Sequence, residues 1–413
     1  MSRAQVVGTF AVALVLLAAA THCSAAVINI VNNDPAGVGF NDPTAATPVG
    51  GNDGTTLGEQ RLNAFGYAAA LWGDRLTSMA GGGGELEINV LAEFAPIVTN
   101  PPCGPGGGAL GRAGANSIHA NFSGAPLSNT WYPAPLANAL SGSDLCPTAG
   151  SCPGLDPEEI GAEFNSDVDN DTCLGTSHWY YGFDGTPSGG DFDLVAVVVH
   201  ELGHGLGFAS GVNPLTGALN SGLDDTYSVN LEDHDTGKTF AASDMNNSER
   251  ASAVVSNGDL HWIGSNVVGF VGENTFLAGL LTGGFDPASD HMEMFSPTTV
   301  QVGSSVSHWN TNVTPNEIME PFYTTPLHNL ELTLELMRDI GWTDVIECGD
   351  ADRSGSVTTT DALITLATAT ALSECRESLC DANGDGKVLA TDAFLVLNEA
   401  VSLPVELSCG LAS

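Results

Sequence analysis

The segment His200–Phe208, HELGHGLGF, limits the fold of this chain more than any other stretch. With the preceding Asp191, Asp193 and apolar run Leu194–Val199, it predicts a helix over Asp191–Leu206 capped by one of the two aspartates. Val195, Val198, Val199, Leu202 and Leu206 share an apolar face, while Val197, His200, Glu201 and His204 share another. The valines alone would permit a strand, but the polar face at helical spacing decides for the helix. Two histidines four apart on a helix point the same way and can bind one metal ion. Glu201 directly follows the first and projects beside that ion, where it can take a proton from a water. Gly207 is free to adopt the positive φ that ends a helix.

A zinc ion that performs hydrolysis needs three protein ligands and one open position. In the metzincin peptidases the third histidine follows the helix glycine by three residues, but Ser210 stands there in this chain. Downstream, SHWNTNVTPNEIMEP (residues 307–321) sets His308 beside Trp309 and places Glu317, Ile318 and Met319 shortly after. This pattern resembles the leishmanolysin branch of the metzincins, in which an insertion separates the helix glycine from the third histidine. The resemblance covers roughly residues 55–345, and its specific motifs are the helix and the His308–Met319 segment. It implies Zn²⁺ ligands His200, His204 and His308, the general base Glu201, a structural turn at Gly207 and Met319 as the floor of the site. The implied activity is hydrolysis of protein or peptide substrates by an endopeptidase. The insertion, 211–306, carries no match. His178, which also precedes a tryptophan, is a rival third ligand, and a gluzincin arrangement would use Glu232 instead. His234, His261, His291 and His328 read as surface or packing residues.

Two segments near the end repeat at an offset of 31 residues: DADRSGSVTTTD (350–361) and DANGDGKVLATD (381–392). Each sets oxygen side chains at positions 1, 3, 5 and 12 and glycine at position 6, the cage a hard cation such as Ca²⁺ requires. Each leads into an apolar helix, over Ala362–Ala371 and Ala393–Val401. The pair resembles a dockerin module, a partner of cohesins. The expected calcium ligands are Asp350, Asp352, Ser354 and Asp361, then Asp381, Asn383, Asp385 and Asp392, with backbone carbonyls from Ser356 and Lys387. Asp167, Asp169 and Asp171 in DVDNDT read as an acidic exposed loop in preference to a third calcium site.

The remaining features bound the setting. Arg3, the apolar run Val6–Ala20 and the small residues Ser24–Ala26 read as an export signal cleaved near Ala26, so the chain is expected to be secreted, extracellular or at the cell surface. Eight further cysteines fall into two groups of four: Cys103, Cys146, Cys152 and Cys173, then Cys348, Cys375, Cys380 and Cys409. They read as disulfides, and four cysteines allow three pairings in each group. In the second group one arrangement clasps the ends of the repeat through Cys348 and Cys409 and leaves Cys375–Cys380 as a short bridge. The formal charge of −39, from 10 basic and 49 acidic residues, argues against nucleic acid and anionic membranes as partners. Beyond the export signal, no apolar stretch reaches the roughly 20 residues of a membrane span.

The expected fold is α+β: a signal (1–26), a metzincin-like domain with a twisted mixed sheet and an active-site helix (27–345), and a small α dockerin-like EF-hand pair (346–413). Leu57–Met79 is predicted as a helix ending at the glycine run 81–84, and Glu85–Val98 as a strand. The next hundred residues read as cysteine-bearing loop, and Leu330–Ile340 as a short helix. The competing class is a secreted calcium-dependent binding or adhesion protein whose zinc site is structural or inactive.

Overall fold

Period-two alternation of apolar side chains builds the first layer. The computed structural model describes residues 24–78, 87–99, 102–148, 152, 157–272, 281–343, 348–352, 356–370, 372, 375, 377–405 and 407–409. Val27–Asn32 (β1), the helix Leu57–Gly73 (α1), Glu87–Ala95 (β2), Gly111–Ala115 (β3), the helix Ala134–Ser141 (α2) and Ile160–Asn165 (β4) follow one another along the chain. The strands make a mixed sheet in the order β1-β2-β4-β3, with β3 antiparallel at the edge and the other three parallel. Ile88, Val90, Ala92 and Phe94 of β2 and Ile160, Ala162 and Phe164 of β4 are buried. Phe65 of α1 packs edge-on against Phe164, ring centroids 4.5 Å apart, which seats α1 on this face.

Helix Leu194–Leu206 (α3) lies beside α1 under the same sheet. Asp193 caps it by accepting from Ala196 N at 2.9 Å. Val195, Val198, Val199, Leu202 and Leu206 are all fully buried. At about 1.5–3 kcal/mol for each such side chain, this face anchors the helix. The Trp72 indole N–H donates to Val199 O at 2.9 Å and ties α3 to α1.

Two expectations need correcting here. The first helix stops at Gly73 instead of running to Met79. Beyond it the chain is drawn into an extended pairing: Ala26 N donates to Leu76 O, and Ser24–Ala25 pairs with Thr77–Ser78. A side chain on Gly73 would also meet Ala26 O at 2.5 Å. The supposed hundred-residue loop in fact holds β3, α2 and β4. The strand GRAGA carries no β-branched or aromatic residue, so neither propensity nor period marks it.

Residues 211–306 add a second sheet. Leu231–Asp233 (β5), Lys238–Thr239 (β6), Leu260–Trp262 (β7), Phe285–Asp286 (β8) and His291–Glu293 (β9) pair antiparallel in the order β6-β5-β7-β9-β8. Just past β9, Phe295 N donates to His308 O and Asn310 N to Glu293 O, both at 2.9 Å. The backbone around His308 is thus laid along the end of this sheet. Glu331–Ile340 (α4) matches its expected span to one residue, and the Trp342 indole donates to Leu206 O at 2.9 Å, fastening it to the end of α3.

In the C-terminal part, Thr359–Ala369 (α5) and Ala390–Ala400 (α6) pack together over a small core of Ala362, Ala382 and Val396. Both helices begin three residues earlier than expected, because the closing aspartate of each loop sits within the first helical turn. The disulfide pairs are Cys103–Cys173, Cys146–Cys152, Cys348–Cys409 and Cys375–Cys380. The architecture is α+β. Among the described residues no helix is long and apolar enough to cross a membrane. Residues 1–23 of the expected signal lie outside the described residues.

Candidate metal centre

Three histidines from two distant segments meet beside the C-terminal half of α3. His200 Nε2 lies 3.2 Å from His204 Nε2 and 3.2 Å from His308 Nε2, and the last two are 3.1 Å apart. Four ligands at the usual zinc–nitrogen length stand about 3.3 Å from one another in a tetrahedron, so this triangle has the dimensions of three ligands around one ion. Every Nδ1 is engaged by a backbone carbonyl: His200 by Ile318 O at 2.6 Å, His204 by Phe208 O at 2.7 Å and His308 by Ser304 O at 2.8 Å. Those bonds put the N–H on Nδ1 and turn three Nε2 lone pairs toward a common point. Without a cation the three lone pairs repel.

The local fold explains each position. Helical spacing stacks His200 over His204, and Gly207, at φ +126°, ends the helix. A side chain on Gly207 would meet Ile340 Cδ1 and Pro133 Cγ at 2.9 Å, so glycine is needed for space as well as for φ. Met319 is fully buried, and its sulfur lies 2.7 Å from where a Cβ on Gly203 would stand, directly under the stretch between the two helix histidines. Ser210 is no ligand here: its N–H donates to Ser307 Oγ at 3.0 Å, and its hydroxyl meets that of Ser228 at 2.7 Å.

Glu201 is buried between α3 and the edge strand β3, where Gly111 leaves room for its side chain. Burial pushes its carboxyl up to about 8, against the opposing pull of the Ala113 N–H. Burial also lowers His200 to about 4, and it lowers His204 to about 3 with help from His200. His308 is held well below its ordinary value, first by burial and then by His204 and His200. All three rings are therefore neutral, as ligands must be. Glu317 is buried and pushed up to about 8 by burial and by Glu331 and Glu320.

The rival residues lie elsewhere. His178 faces Asp171 at 3.5 Å with its side chain 43% exposed, apart from the trio. Glu232 sits with His234 and His291, so it does not complete a gluzincin set. Asp169 accepts from Arg61, Tyr181 and Trp179, and Asp171 is exposed, so the DVDNDT loop is spent on the fold. His328 meets Asp193 at 3.2 Å, a packing role as expected. The expectation for His234, His261 and His291 was incomplete, since the structure gathers them into one group. No sequence spacing signals this, because the three come from separate segments on or next to strands of three residues. A recess of about 410 Å³, lined by Leu91, Arg112, Gly114 and Glu163 among others, lies on the sheet away from the trio.

The two C-terminal loops share one geometry. Asp361 accepts from Asp352 N at 2.8 Å and Thr358 N at 2.7 Å; Asp392 accepts from Asn383 N at 3.1 Å and Leu389 N at 2.9 Å. These donors are positions 3 and 9 of each twelve-residue loop. Asp350, Asp352 and Asp361 bring oxygens within 4.8 Å of one another. In the second loop Asp381 accepts from Asp385 N and Gly386 N, while the Asn383, Asp385 and Lys387 residues are exposed. Ser356 is exposed as well, and Ser354 lies outside the described residues.

No protein-family model matches this chain, and no curated protein matches it.

Proposed function

We propose that this chain is a secreted, zinc-dependent endopeptidase of leishmanolysin-like metzincin type with a calcium-binding, dockerin-like appendage. The observation that carries the reading is the trio itself, with three inward Nε2 atoms 3.1–3.2 Å apart and every Nδ1 held by a carbonyl. Zinc bound there supplies a Lewis acid for a peptide carbonyl and acidifies a water. The chain's own groups do the rest. Glu201 follows the first ligand and takes the proton of the attacking water, then returns it to the leaving amine. A dication beside it favours the ionised carboxylate and offsets the rise caused by burial. Strand β3 ends the sheet on the side of Glu201, and its outer edge can pair with an extended peptide.

Caseinolysis, with zinc content measured in parallel, tests the reading. The wild-type chain should cleave in a chelator-sensitive manner. Glu201→Ala should retain zinc while losing about 10²–10⁴-fold in rate. Zinc binding with no peptide cleavage at any calcium level would favour the binding-protein class instead.

For the appendage, the shared loop geometry and the buried Asp350, Asp361, Asp381 and Asp392 support two calcium sites. Leu363, Leu366, Phe394 and Leu397 are exposed on α5 and α6, which suits a cohesin-like protein partner. Calcium removal should melt this module selectively, seen as lost helicity restored by Ca²⁺ but not by Zn²⁺. Unchanged helicity in chelator would overturn the calcium assignment.

A further inference from the structure

The second histidine group is built like a ligand set. His234, His261 and His291 each place a ring nitrogen within 4.8 Å of the others, although 57 residues separate the first from the last. His261 is only 5% exposed, and its Nδ1 has no hydrogen-bond partner. Its Nε2 meets Gly258 O at 3.2 Å, an outward bond that orients the ring and leaves Nδ1 for the group. The Nδ1 of His291 is also buried without a hydrogen bond, 3.4 Å from Glu232 Oε1. That same oxygen lies 3.2 Å from His234 Nδ1, while His234 Nε2 faces Asp286 Oδ2 at 3.4 Å. Two imidazole nitrogens left unsatisfied at one point cost free energy in a folded protein, and a cation at that point removes the cost.

We propose that His234, His261, His291 and Glu232 form a second, structural zinc site, independent of the trio on α3. Three imidazoles and a carboxylate are a borderline donor set that suits zinc, and four protein ligands leave no open position for a substrate. Asp286 supports the His234 ring from outside, as the Gly258 carbonyl supports His261. Burial lowers His261, with His234 adding to the effect, which keeps that ring in the neutral, ligating form. The group is more open than the first trio, with the His234 side chain 34% exposed.

Position gives the site its purpose. The ligands join β5, β7 and β9 with the turn after β5, and the chain beyond β9 pairs with the backbone of His308. An ion here would clamp the three strands that present the distant ligand of the first centre.

Zinc stoichiometry on the full chain, stripped with chelator and reloaded with Zn²⁺ alone, tests the proposal. The wild type should take up about two ions. His234→Ala, at a part-exposed position, should take up one, and Glu232→Gln should hold its second ion at least tenfold more weakly. His308→Ala should also retain one, which must then disappear in the His234→Ala/His308→Ala double variant. Co²⁺ substitution of the His308→Ala chain gives a readout that does not depend on a second variant folding: an intense tetrahedral visible band is expected. A wild type that binds a single ion, lost in His308→Ala and kept in His234→Ala, would overturn the second site and leave the first standing. A single ion lost only in His234→Ala would support the second site and remove the first.

Discussion

The two histidine groups are made of the same side chain yet are built in opposite ways. In the first, two rings ride on a capped, deeply buried helix and the third arrives from a strand-like segment, all with their Nδ1 atoms on carbonyls. Glu201 is placed beside the trio by sequence adjacency. In the second, the rings come from short strands and turns, and Glu232 sits between two of them. The first is thus oriented by backbone carbonyls, whereas in the second a carboxylate lies among the rings. On the proposed reading, a reactive centre would differ from a structural one in whether the carboxylate is aimed past the ion or at it.

The sharpest way to break this comparison is to remove His308. The His308→Ala chain should lose all peptidase activity and the zinc of the first group, while His178→Ala should change neither. Zinc analysis and a caseinolysis assay read both effects, and the reverse outcome would remove the assignment of His308.

Acid provides a second, smaller contrast in the chelated chain. His200 is lowered from 6.5 to about 4 in the folded protein, His204 to about 3, and His308 is held well below its ordinary value by burial. As pH falls below 6.5 the unfolded chain takes up protons that the folded one refuses, so stability drops until about pH 4, by on the order of 3 kcal/mol for His200 alone. Glu201 and Glu317 act in the opposite direction. Their folded values of about 8 lie above the ordinary 4.5, so their contribution is present below pH 4.5 and lost as pH rises through 8. The chelated chain should therefore lose stability on both sides of about pH 6.5, as measured by denaturant melts across that range. Added zinc should lift the acid side until the histidines protonate. A flat profile would mean that the trio is not buried as described.

The smallest effect concerns the helix alone. Asp193→Ala removes the N-cap of α3 and should cost about 1–2 kcal/mol in thermal stability. It should weaken zinc at the first group while leaving the second group's uptake unchanged, because no ligand of the latter lies on α3.

These contrasts also explain what could be read before the fold was known. The α3 face, Gly207 and the twelve-residue loops are written in local spacing, and local spacing survives folding. His308 was legible only through its neighbours Trp309 and Met319. The edge strand β3 escaped because glycine and alanine fit its crowded site against Phe164 and Glu201, at the expense of any β signal. The second histidine group escaped for another reason: strands of two or three residues have no period to detect, and their register exists only once the sheet has paired.

One small contact carries a larger consequence. Ser210, three residues past Gly207, hydrogen-bonds Ser307, the residue just before His308. The entry and exit of the 211–306 excursion are therefore buttoned together at its neck. Closing a loop costs free energy that grows only with the logarithm of its length. With the neck fastened, the excursion can lengthen or shorten at its far turns without shifting either half of the metal centre, provided β9 stays paired. This serine contact thereby makes the stretch adjustable in size while the three histidines stay where they are.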